Sequence, residues 1–383
     1  MAGEWRDVTL GEVITLQRGF DLPAQDRKPG KVPIVSSSGI TDYHSEVGVR
    51  GPGVVTGRYG TIGQVFLIKE DYWPLNTTLW VKDFHGNDPH FASYLLRTVD
   101  FRSCSDKSSV PGVNRNDLHQ IPVLLPPLAE QKAIAAVLGA LDDKIELNRR
   151  MNATLEAMAR ALFSNWIQSH DDEIGEHLVQ DLIDERVLVI GDGYRAKNSE
   201  FADDGLPFIR AGNLRGDGLD LAGADVLSAS SVKAAGHKVG MVGDVAFTSK
   251  GTVGRITRVS SKTGSFVYSP QVCFWRSTAP DKLHPNVLYR WMSTDDFTHQ
   301  VATVSTQTDM APYVSLQDQR KMVIQLPPPS DQREIATQLE AIDEKIAANA
   351  EQSRTLATLR DTLLPKLLSG ELAVPPALGK VNS

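Results

Sequence analysis

Two glycine-rich stretches each set a cation beside a turn. Gly57-Arg58-Tyr59-Gly60-Thr61-Ile62-Gly63 and Thr248-Ser249-Lys250-Gly251-Thr252-Val253-Gly254 lie 191 residues apart. Two chemistries fit them. Glycines at positive φ build tight β-turns. They also let a backbone approach a ligand closely, and a neighbouring cation then meets phosphate or guanine. Arg58, Tyr59, Thr61, Lys250 and Thr252 are therefore candidates for nucleic-acid contact, with plain turns as the alternative. Their spacing is neither the dinucleotide fingerprint nor a phosphate-binding P-loop. Asn76 and Gln271, 195 residues apart, fall at corresponding places. Their amides are the kind that pair bidentately with adenine in the major groove, or they satisfy local backbone. Ser36 and Ser37, Asn114 and Arg115, Arg210 and Asn213, and Gln307 are further polar candidates in loop-like stretches, with plain turns as the alternative around Asn114 and Gln307.

Other chemistries find little footing. The nine histidines form no His-x-x-x-His or His-Glu-x-x-His pair, so no metal ligand set is expected. No Gly-x-Ser-x-Gly elbow occurs. The Pro-Pro pairs lack the flanking residues of an amino-methyltransferase motif. No catalytic residue is expected. Cys104 and Cys273 offer neither metal spacing nor a disulfide framework, and a reducing cytoplasm is the simple inference. The start Met1-Ala2-Gly3-Glu4-Trp5-Arg6 reads as no signal peptide, and no apolar run is long enough to span a membrane.

The elements that must position these residues are themselves repeated. Leu125-Pro126-Pro127-Leu128-Ala129-Glu130-Gln131-Lys132-Ala133-Ile134-Ala135 opens one long helical run. Leu326-Pro327-Pro328-Pro329-Ser330-Asp331-Gln332-Arg333-Glu334-Ile335-Ala336 opens another, 201 residues later, and the offset holds through both runs. Ile134, Leu138, Leu141, Ile145, Leu155 and Leu162 step by fours and threes, matched by Ile335, Leu339, Ile342, Ile346, Leu356 and Leu363. That is the seam of a coiled coil. Asn148 and Asn349 interrupt it at matching places, where a buried amide fixes register. The prolines give a sharp entry, and Ser330 is expected to cap the second helix. Two helices burying stripes in separate cores is the plainer alternative.

These runs divide the 383 residues into a first globular domain (1–125), a central helix (126–170), a second globular domain (171–325), a distal helix (326–370) and a tail (371–383) expected to be disordered or loosely docked. The globular parts echo each other in order, with drifting offsets. Pro33-Ile34-Val35 precedes Pro207-Phe208-Ile209, Pro111 and Val113 precede Pro312 and Val314, and Gly11–Ile14 finds a faint relative in Gln180–Ile183. The expected fold class is α+β, with two mixed globular domains, two long helices as a coiled coil, and an internal repeat. Net charge is −7. The first domain carries 13 Lys and Arg against 14 Asp and Glu, the second 16 against 20. A nucleic-acid contact would thus need a local basic patch.

Together these features resemble the specificity subunit of type I restriction–modification systems. The resemblance covers nearly the whole chain. It rests on the duplicated Leu-Pro-Pro-x-x-x-Gln-x-x-Ile-Ala openings, Ala341-Ile342-Asp343-Glu344-Lys345-Ile346, Leu363 through Leu372, Arg58 through Gly63, and Gly193-Tyr194 through Arg210. It implies that each globular domain is a target recognition domain reading one half of a split site in double-stranded DNA. The helices would pair antiparallel about a pseudo-twofold, separate the domains and hold two modification subunits, which carry S-adenosylmethionine and methylate adenine. Restriction subunits would add ATP- and Mg-dependent translocation and cleavage. No cofactor is expected on this chain. The competing class is a non-DNA repeat scaffold that uses its coiled coil to bring partner proteins together.

Overall fold

Both long helices begin at the proline pairs. The computed structural model places them at Leu128–Ser169 and Pro329–Leu368, and describes residues 4–104, 112–215, 218–305 and 312–374. Ser330 is the second residue of its helix, so it is no cap, contrary to expectation. The work of the helix start falls to glutamine instead. Gln131 Nε2 donates to the Asn87 side chain (2.8 Å) and the Pro126 carbonyl (2.9 Å), while its Oε1 accepts from the Asp88 amide (3.0 Å). Gln332, at the same repeat position, donates to the Pro327 carbonyl (3.3 Å) and accepts from the His284 amide (3.2 Å). Asp88 and His284 are the N-caps of helices Pro89–Thr98 and Pro285–Met292. Both glutamines are buried, so each polar atom must find a partner or cost stability. The repeated Gln therefore ties the head to its long helix twice over.

The chain divides into two compact units, and the boundary cuts both long helices. Residues 1–145 with 355–383 form the first unit; residues 146–354 form the second. The two are built alike. In the first, Arg6–Thr9 pairs antiparallel with Pro122–Leu125; in the second, Gly175–Leu178 pairs with Val323–Leu326. A four-stranded sheet has the order Thr15–Arg18, Thr78–Asp83, Gly53–Gly57, Val65–Ile68. Its counterpart is Leu188–Asp192, Val272–Ser277, Val245–Thr248, Ile256–Arg258. Each unit adds a three-stranded sheet with one parallel pair, Val32–Ser36 on Trp73–Pro74 and Gly205–Ile209 on Val267–Tyr268. Among the described residues, the hairpin Leu214–Arg215 with Gly218–Leu219 and helix Asp295–Ser305 occur in the second unit without a counterpart in the first. The fold is α+β with an internal repeat.

The apolar seam divides its labour along each helix. Ile134 and Leu138 enter the first unit's core with Leu10, Phe91 and Leu95, and Leu363 packs against it. Ile335 and Leu339 enter the second unit's core with Phe163, Trp166, Val287 and Trp291, with Leu162 and Ile342 packed alongside. Leu141, Ile145, Leu155 and Leu356 are half-buried, and Ile346 is buried. Where helix meets helix inside the second unit, polar groups mark the contact. Asn148 Nδ2 donates to Gln352 Oε1 (2.9 Å), Ser353 Oγ (3.2 Å) and the Asn349 carbonyl (3.3 Å). Asn349 donates to Asn152 Oδ1 (2.8 Å), and Asn152 to the Ile346 carbonyl (3.1 Å). Rising numbers on one helix meet falling numbers on the other, so the segments run antiparallel. These hydrogen bonds from buried amides form together only in one register.

Asp142 does the matching work in the first unit. It accepts from Tyr94 Oη (2.8 Å), Arg97 (3.1 Å) and Arg360 (2.6 Å). Burial pushes its carboxyl up, but the hydrogen bonds from Arg360 and Tyr94 and the charge of Arg97 outweigh it and hold it below the ordinary value of 3.8. A depressed folded-state pKa stabilises the fold above the unfolded value and loses that contribution as pH falls through the folded one. Asp142→Asn is therefore expected to cost about 1–3 kcal/mol at pH 7. Its deficit relative to the wild type should shrink as the pH drops below about 4. Urea titrations at several pH values check this; a deficit constant down to pH 3 would contradict it.

Candidate nucleic-acid interface

The glycine loops are one construction made twice. Gly60 and Gly63 have φ of 72° and 82°; Gly251 and Gly254 have 76° and 94°. The Ile62 amide donates to the Gly60 carbonyl and the Val253 amide to the Gly251 carbonyl, both at 3.0 Å. The segment before each long helix joins in. The Val113 amide reaches the Arg58 carbonyl (3.1 Å) and the Val314 amide the Ser249 carbonyl (3.0 Å). Isolated bridges pair Tyr59 with Gly112 and Lys250 with Tyr313. The positive φ at these four positions is the reason glycine stands there.

Each loop holds its cation against an aromatic ring. The Arg58 guanidinium lies 4.7 Å from the Tyr59 ring centre, and Lys250 Nζ lies 4.6 Å from the Tyr313 ring centre. Thr61 is half-buried and Thr252 exposed. Ser37 joins the first loop, since a Cβ at Gly57 would stand 3.2 Å from its own Cβ. Ser36 closes the adjoining turn, its Oγ 2.9 Å from Ser38 Oγ. The structure thus gathers Ser37, Arg58, Tyr59 and Thr61 in the first unit, and Lys250 with Thr252 in the second.

Other candidates are held within the fold. Asn76 and Gln271 are not equivalent, which corrects the expected correspondence. The Arg58 amide donates to the Thr77 carbonyl and the Ser249 amide to the Gln271 carbonyl, both at 2.9 Å. Gln271 therefore matches Thr77, one residue on. A one-residue slip in a strand reverses the face of every side chain. Asn76 donates to Asp21, which also pairs with Arg18; Gln271 is exposed. Asn114 is a helix cap, accepting from the Asn116 amide (3.0 Å), as its repeat counterpart Ser315 accepts from Asp318 (3.1 Å). Asn213 braces a loop through the Asp220 carbonyl (2.8 Å) and the Arg210 amide (2.8 Å). Arg210 is ion-paired with Asp225 and lies over Phe201 and Phe208. Arg115 is exposed. Gln307 lies outside the described residues.

Among the described residues, no group of three or more His, Cys, Asp or Glu is arranged to hold a metal, and no helix is long and apolar enough to cross a membrane. Cys104 and Cys273 are free thiols.

Comparison with known proteins agrees with this construction. Residues 2–157 match the family model for the type I restriction modification DNA specificity domain. The MjaIX specificity subunit of a type I restriction enzyme from Methanocaldococcus jannaschii is 24% identical over 364 residues, 89% of this chain and 82% of that protein. The MjaVIII specificity subunit from the same organism is 22% identical over 308 residues, 74% of this chain and 70% of that protein. The S subunit of a type I restriction–modification system from M. genitalium shares the fold, with a TM-score of 0.62 and 16% identity over 95% of this chain and 96% of that one. Residues 2–157 thus carry the match to the specificity-domain model, and the chain as a whole is similar in sequence and fold to specificity subunits of type I restriction–modification systems.

Proposed function

We propose that this chain supplies DNA sequence specificity to a type I restriction–modification complex, each unit reading one half of a bipartite duplex site. One observation carries the reading: the same glycine loop, braced by the same backbone bonds, is built twice and dressed with different side chains. One scaffold bearing two different surfaces reads an asymmetric site, whereas a symmetric dimer reads a palindrome. The long helices dock two modification subunits, which hold S-adenosylmethionine and methylate adenine, and restriction subunits add ATP- and Mg-driven translocation. The chain itself is non-catalytic, binds no cofactor, and works in the cytoplasm, where those partners meet genomic DNA. Its charge of −7 leaves much of the phosphate attraction to the partners, so binding by this chain alone is weak and salt-sensitive.

Arg58→Ala and Lys250→Ala test the loops in the assembled methyltransferase. Each should weaken binding by about 1–3 kcal/mol and relax the preference at one base pair of one half-site. Methylation of a randomised site library measures both effects. A loss uniform across all sequences, with a shallower salt slope, would make the side chain a phosphate contact. Unchanged affinity and preference would remove the loop from the interface.

A further inference from the structure

The two units differ at the bridge where the glycine loop meets the segment before the long helix. In the first unit the aromatic ring comes from the loop: Tyr59 packs over Gly112, where an added Cβ would fall 2.3 Å from the ring. In the second unit the loop offers Lys250 and the opposite strand offers the ring, Tyr313. The same site therefore carries its aromatic on opposite strands in the two units.

We propose that Tyr313 is a specificity-determining residue of the second unit, the positional counterpart of Tyr59 with strand origin exchanged, and that its hydroxyl reads a base edge. This rests on the DNA-reading function above. Four observations support it. Tyr313 is 42% exposed while its neighbour Val314 is fully buried, so the tyrosine ring lies on the outer side of the bridge. Lys250 Nζ stands over its ring, which holds the phenol in place and leaves the hydroxyl to meet a partner; a side chain ordered beforehand loses less freedom on binding. Gly251 and Gly254 leave open space where a side chain would stand, so a duplex can come close to the backbone there. Arg195, exposed and 3.8 Å from Asp192, brings a second cation to the same surface. Burial and the charges of Cys273 and Asp192 push the Tyr313 phenol up, with Arg195 pulling the other way. The hydroxyl thus stays a protonated donor at neutral pH.

The test uses the chain assembled with its modification subunits and a randomised library of both half-sites, read by sequencing the methylated products. Tyr313→Ala should slow methylation of the preferred site by roughly ten- to a hundredfold and relax one base pair of one half-site, leaving the other half-site intact. Tyr313→Phe, which keeps the ring over Lys250 and the fold, should relax the same base pair. Wild-type rate and preference in both variants would overturn the proposal, as would a loss spread evenly over all library sequences or a Phe variant that discriminates like the wild type. A wild-type complex without any sequence preference would instead sink the DNA-reading function itself.

Discussion

Arg290→Ala is expected to cost the second unit about 3–5 kcal/mol, enough to unfold it under mild conditions. Arg290 is 1% exposed at its side chain and bridges Glu156 (2.5 Å) and Asp343. Glu156 sits on the first long helix and Asp343 on the second, so one guanidinium joins the head helix Pro285–Met292 to both. Arg258 adds a weaker contact to Asp343 at 3.6 Å, and Tyr289 Oη lies 3.4 Å from Glu156. Burial pushes the Asp343 carboxyl above its ordinary range, against the pull of Arg290 and Arg258. Removing Arg290 leaves two carboxylates without their main partner, and stranded buried charge is far costlier than a lost pair is valuable. The sign with pH follows. A carboxyl whose folded pKa is raised destabilises the fold as pH rises through that range, and truncation raises it further. The Arg290→Ala deficit is therefore largest at neutral pH and shrinks in acid as Asp343 takes up a proton. The Asp343→Asn background should soften the same substitution, because one stranded charge is gone. Urea unfolding followed by tryptophan fluorescence measures each variant. A loss below about 1 kcal/mol with no coupling to Asp343 would mean that the cluster is hydrated rather than buried.

The helix repeat was legible because it keeps one offset: Ile134 with Ile335 and Asn148 with Asn349 need no alignment. The glycine loops were legible because positive φ selects glycine at four positions that also keep one spacing. The strand equivalence was misread by one residue, since Trp80 and Trp275 look like partners. Hydrogen bonding instead aligns Trp80 with Phe274: Trp80 faces Val55 in the first sheet, and Phe274 faces the corresponding Ala246 in the second. A shared residue type outweighed register, which only backbone pairing reveals. Asn114 and Asn213 were polar candidates in loop-like stretches, with a plain turn as the alternative at Asn114; both serve their own backbone, as Asn most often does at caps and turns. Tyr313 and the Arg290 cluster left no local signal. Their partners lie far off in sequence, and chain distance says nothing about which side chains a fold brings together. The role of Gln131 was hidden in the same way, although its repetition as Gln332 was in plain view.

Exchange of the second unit tests the central claim most directly. The graft should span residues 146–354, the whole unit, and not merely 171–325. Phe163, Trp166, Ile335 and Leu339 lie outside the narrower range yet belong to the second unit's core, and a foreign head set on them would leave mismatched packing worth several kcal/mol. The donor is the equivalent unit of a type I specificity subunit with a different site. Co-purification with the modification subunits first establishes assembly, and genome-wide mapping of methylated adenine then reads the site. Independent heads predict that one half of the methylated sequence becomes the donor's while the other half stays as in the wild type. An assembled, active chimera in which both halves change, or neither does, would contradict the account.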